Sequence, residues 1–186
     1  MNDITPTGER VPSLADHMRL MARYNSWMNG RLYDACEKLS DDDRKRDLGA
    51  FFGSIHGTLN HLLLADHIWL TRFAGKPAAY ARLDQELYGL FRDLKVERWS
   101  TDFRLVEWAA RQTEASLARD LEYTSIVTSE KKRTPLWLAA THLFNHQTHH
   151  RGQVTAMLTR LGIDPGVTDL VFMPPDTAAR GPVQAP

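Results

Sequence analysis

The sequence predicts an all-α protein built as a four-helix bundle. Four segments of about 20–28 residues carry apolar side chains at helical spacing, and strand-type alternation is scarce. The joints between segments are marked by glycine, proline and runs of charge. At 186 residues, with 42% hydrophobic and 25% charged residues, the chain suits one globular domain.

Residues 1–12 read as a loose polar arm, residues 13–173 as the bundle domain and residues 174–186 as an irregular tail. Ser13 is a fitting N-cap for a first helix in which Met18, Met21, Met28, Leu32 and Ala35 recur on one face to about residue 37. The charged run at residues 40–46 reads as a solvated connection. The second helix is expected over about 54–73, with Gly75 as its stop. It is apolar nearly all round, which places it inside the bundle. Residues 74–92 are ambiguous, with a weakly helical piece around Leu83, Leu87 and Leu90. A third helix is expected over about 94–121, then a short hairpin or irregular loop over 122–133. Thr134 as N-cap and Pro135 in the first turn predict a fourth helix reaching Leu161, with Gly162 as its stop.

Lys plus Arg equals Asp plus Glu at 23 each, which leaves no basic footprint for nucleic acid. No run of about 18 apolar residues is present, so no membrane span is expected. The first twelve residues lack the apolar core of a signal peptide, and a cytoplasmic location is expected. The single cysteine, Cys36, excludes an intramolecular disulfide and a thiolate-rich metal site, leaving histidine and carboxylate as donors.

Four of the eight histidines fall within residues 142–150 of the fourth helix. On a helical wheel with Leu143 at zero, His150 lies at about −20° and His146 at about −60°, inside the apolar stripe. His142 and His149 lie at its edge, at about −100° and −120°. Two inward imidazoles one turn apart can share a metal ion; hydrogen-bonded core histidines are the plainer alternative. The spacing is not that of the helical zinc-protease motif, because Gln147 stands where its glutamate would be. A third ligand has to come from another helix. The second helix offers His56, His61 and His67. His56 and His67 share a face toward its charged side, and His61 sits among the small residues Gly57, Thr58 and Ala65. Periodicity does not choose among the three.

Residues 53–63, Gly-Ser-Ile-His-Gly-Thr-Leu-Asn-His-Leu-Leu, with Asp66 and Trp69 beyond them, resemble the DinB family, also grouped with YfiT-type proteins. So do residues 145–153, Asn-His-Gln-Thr-His-His-Arg-Gly-Gln, and residues 21–25 with Trp27. The resemblance spans about residues 17–173. It implies a four-helix bundle with a long crossover connection, often dimeric. It also implies three helix-borne histidines, at positions matching His61, His146 and His150, holding a divalent metal such as zinc or nickel. Characterised members of that family include transferases and isomerases dependent on low-molecular-weight thiols; many others have no known activity.

From these residues we expect a metal-dependent transferase or hydrolase acting on a small molecule, including a low-molecular-weight thiol as a possible co-substrate, with no nucleic-acid or membrane partner. The alternative is a non-catalytic, stress-related bundle stapled by its metal. Asn60, Gln153 and Asp66 are candidates to orient the imidazoles. His56 is a candidate acid or base, and Arg151 and Tyr24 are candidates for holding substrate.

Overall fold

A computed structural model describes residues 11–77 and 79–175. The chain runs α1 (Leu14–Cys36), α2 (Asp41–Lys45), α3 (Ile55–Phe73), α4 (Phe91–Ala110), α5 (Glu114–Leu117), β1 (Asp120–Thr124), β2 (Lys131–Pro135) and α6 (Leu136–Arg160). A 3-10 turn, Leu170–Phe172, follows. Positions 1–10 of the expected arm and 176–186 of the expected tail lie outside the described residues.

α1, α3, α4 and α6 form the bundle. α1 packs mainly against α4 and α6, and α3 against the same two. Helices α1 and α3 are therefore diagonal partners, as are α4 and α6, so the connection between α1 and α3 crosses the end of the bundle. Caps set two of these helices. Ser13 Oγ accepts from the Asp16 N–H while the Asp16 carboxylate accepts from the Ser13 N–H, a reciprocal capping box. Ser54 Oγ accepts from the Gly57 N–H at 3.0 Å to open α3.

The structure departs from the sequence expectations at the joints. Residues 41–45 form a short helix capped by Ser40 rather than a plain connection. The ambiguous stretch before α4 is not helical in its described residues. The third helix stops at Ala110, and Thr113 caps a separate turn, α5, because its hydroxyl competes for the Ser116 N–H. The segment after it is a hairpin, β1 paired antiparallel with β2. That pairing takes Thr134 opposite Leu121, so Pro135, not Thr134, occupies the N-cap of α6.

The core has three layers along the bundle axis. One apolar cluster contains Met18, Trp69, Leu105, Leu143 and Phe144. A second contains Leu32, Ile55, Leu59, Leu94, Val154 and Leu158. Between them lies a buried polar layer to which all four long helices contribute: Asn25 and Asn29, Asp66, Arg98 and Asp102, Gln147 and Arg151. Arg98 is clasped by Asp66 at 2.7 Å and Asp102 at 2.9 Å. Asn29 Nδ2 donates to Asp102 at 2.9 Å, and Arg151 donates to Asn25. Two cations and two anions balance, which is what permits charge at this depth.

Candidate metal centre

His61, His146 and His150 converge at the α3–α6 seam. His61 Nε2 and His150 Nε2 each lie 3.1 Å from His146 Nε2, and all three donor atoms lie within 4.8 Å of one another. Two of the rings have their tautomers set from behind. His61 Nδ1–H donates to the Leu83 carbonyl at 2.8 Å, and His150 Nδ1–H donates to Gln153 Oε1 at 2.8 Å. Both therefore turn an Nε2 lone pair toward the shared centre. A proton on His146 could satisfy those lone pairs only one at a time, whereas one cation satisfies all of them. Bonds of about 2.0–2.1 Å to a tetrahedral ion place imidazole nitrogens about 3.3 Å apart, close to the two 3.1 Å separations from His146.

The electrostatics suit neutral ligands. Burial lowers the pKa of all three rings below the usual histidine range, and His146, which also faces its neighbours' charge, falls to about 3. The cluster could hold a metal ion. Among the described residues three side chains meet there, whereas a closed structural zinc site uses four.

Two aromatic residues absent from the sequence reading complete the surroundings. Phe52 stacks on His61 with ring centroids 3.8 Å apart and planes at 20°, and Phe51 packs edge-on against Phe52. Both sit on a tight turn closed by Gly53 N–H to the Ala50 carbonyl. Gly53 adopts φ +71°, a left-handed conformation that glycine alone takes without penalty. Gly57 serves the same turn. A Cβ there would lie 2.4 Å from the Phe52 carbonyl oxygen, so its small size admits this turn. Two phenylalanines flanked by Gly49 and Gly53, just before a capped helix, are the readable signal for it.

The remaining candidates fall in different places. Gln153 supports His150 as described. Asn60 touches no imidazole nitrogen; it ties down the loop that supplies the Leu83 carbonyl. Its Oδ1 accepts from the Leu87 and Tyr88 N–H groups at 2.8 and 2.9 Å, and its Nδ2 donates to the Tyr88 and His56 carbonyls. Asp66 binds Gln147 and Arg98 in the polar layer. Arg151 is 3% exposed and points toward α1, away from the histidines. Tyr24 is buried, its hydroxyl donating to the Thr168 carbonyl at 2.6 Å. His56, expected on a charged face, is 2% exposed and its Nε2–H donates to the Tyr88 carbonyl at 2.9 Å. His142 and His149 stay exposed on the flank, and Cys36 is buried with its thiol pushed up to about 12.

The helix wheel is also refined. Gln147 and Arg151 are more deeply buried than His146, because α6 faces both α1 and α3 and its buried arc is centred between them.

Comparison with known proteins places this arrangement. The model of the DinB family matches residues 13–180. The chain belongs to the DinB family. Protein DinB of Bacillus subtilis (strain 168) is 28% identical over 160 residues, covering 84% of this chain and 92% of the relative. Among solved structures, a DinB-like protein from Bacillus cereus ATCC 10987 superposes with a TM-score of 0.58 at 18% identity, covering 76% of this chain and 91% of that one. At that identity the likeness concerns the fold: this DinB-family chain shares its helical bundle. No described helix is long and apolar enough to cross a membrane.

Proposed function

We propose that the protein is a metal-dependent transferase or hydrolase acting on a small molecule, with His61, His146 and His150 as the ligands of one divalent ion, zinc or nickel. The observation that carries this reading is the convergence of three Nε2 atoms from two helices, with two rings held in the ligating tautomer by Leu83 and Gln153. A divalent ion held there supplies Lewis acidity, lowering the pKa of a water or thiol brought to it. The chain's own residues bind and orient. Leu83 and Gln153 hold imidazole direction, and Phe52 covers one face of His61. A cavity of about 570 Å³ opens over His61 and His150 and leaves room for a substrate beside the cluster. That cavity, together with the three-donor set, favours an open catalytic site over a metal that only staples α3 to α6.

Metal analysis of untagged protein tests the reading. We expect about one zinc or nickel per chain, and loss of that metal in His150→Ala, since removing one of three ligands opens the site. Absence of stoichiometric divalent metal from the wild type, with His150→Ala unchanged, overturns it. Screening thiols against electrophiles, and esters or amides against water, then separates transferase from hydrolase.

A further inference from the structure

Two unlike lobes adjoin the histidine cluster, both reaching His61 and one of them also His150. One, about 570 Å³, is walled by Phe51, Phe52, Leu83 and the rings of His61, His149 and His150. The other, about 450 Å³, includes Lys45, Ser54, Gln85 and Glu86. Phe51, Phe52, His61 and Asp84 line both, so they form the partition between them. The first lobe touches His61 and His150 of the cluster and presents mostly carbon. Its rim contains Phe51, 84% exposed, and Leu83, 37% exposed. The same loop that gives its carbonyl to His61 thus turns an apolar side chain to the cavity, and the Phe51–Phe52 turn supplies the opposite wall. Water in contact with this much hydrocarbon is readily displaced by an apolar group.

We infer that this lobe receives the uncharged, apolar part of the substrate, an aromatic ring or branched alkyl group, while a donor atom on the same molecule reaches toward the three Nε2 atoms. This rests on the metal reading above and adds a substrate class to it. Phe51 is then a specificity-determining residue: it touches the substrate body and not the reacting atoms. The adjoining lobe carries Lys45 and Glu86 on its walls, while Asp84 is the one carboxylate on the lining of the apolar lobe among the described residues.

The test uses Co(II)-loaded protein and two probes with the same chelating head, acetohydroxamate and benzohydroxamate, followed by the cobalt visible spectrum and by calorimetry. The wild type is expected to bind benzohydroxamate at least about tenfold more tightly than acetohydroxamate, because a phenyl ring leaves water for the lobe. In Phe51→Ser that preference is expected to shrink several-fold with the affinity for acetohydroxamate retained. Phe51 is exposed, so its replacement leaves the core intact. A 4-carboxylated benzohydroxamate is expected to lose most of the advantage. Failure to take up Co(II) overturns the metal reading and this inference with it. Uptake of Co(II) with equal affinities for the two probes, or a preference that Phe51→Ser leaves unchanged, overturns this inference alone.

Discussion

His67 shows how one residue type serves two purposes on the same helix. It is six residues beyond His61 on α3, about 1.7 turns, and so faces α4, where its Nε2 lies 3.0 Å from Glu97 and its Nδ1 2.9 Å from the Tyr80 hydroxyl. Burial, reinforced by the Arg104 guanidinium, lowers its pKa to about 4. The unfolded chain, with a pKa of about 6.5, therefore binds the extra proton first as pH falls. The stability held by the neutral ring is complete above about pH 6.5 and is lost as pH drops toward 4. Between pH 7 and 5 the loss should be on the order of 2 kcal/mol for this residue. Urea titrations of wild type and His67→Asn at both pH values check this; the variant should lose correspondingly less. Equal losses in the two proteins would show that His67 does not carry the effect.

At the scale of elements, the site depends on a loop that the helices hold in place. Asn60 uses its amide for four hydrogen bonds, and two of these fix the Leu87 and Tyr88 N–H groups. His56 adds a second bond to the Tyr88 carbonyl. Through that loop Asn60 sets the position of the Leu83 carbonyl, hence the orientation of His61. Asn60→Ala should lower divalent-metal affinity about 10- to 100-fold, the usual effect of loosening a ligand's hydrogen-bonded support. Competition with a chromogenic chelator measures this, with circular dichroism confirming that the helices persist. Unchanged affinity in a folded variant would show that the loop does not orient the ligand.

For the whole molecule, the polar layer decides how the four helices register. Its Arg98 is 1% exposed, as is Asp66, and Asp102 is 2% exposed. Burial raises the Asp102 carboxyl to about 6 despite its Arg98 partner. Removing one carboxylate leaves two buried guanidinium groups facing one carboxylate, so Asp66→Ala should cost about 3–5 kcal/mol. Chemical denaturation measures it; a cost below about 1 kcal/mol would mean that water or Asp102 alone satisfies Arg98. An interlocking layer of this kind also resists a one-turn slip of any helix, since each helix would move its polar groups into an apolar cluster.

Much of this was legible along the chain. Apolar periodicity, the Ser13 cap and the glycine stops report local preferences, and α1, α3 and α6 follow them within about two residues. The i, i+4 spacing of His146 and His150 is likewise a property of one helix, readable without the fold. What one helix cannot report is its neighbour. The meeting of His61 with that pair, the Leu83 carbonyl behind it and the Phe52 ring over it join residues 52, 61, 83, 146 and 150, and only packing of α3 on α6 brings them together. Arg151 and Asp66 were open to misreading for the same reason. Hydropathy counts each as a surface residue, whereas charge can be buried once the opposite charge arrives from another helix. Sequence alone thus determined three of the four long helices and a pair of inward histidines; tertiary structure decided which polar groups became core and which surround the candidate metal centre.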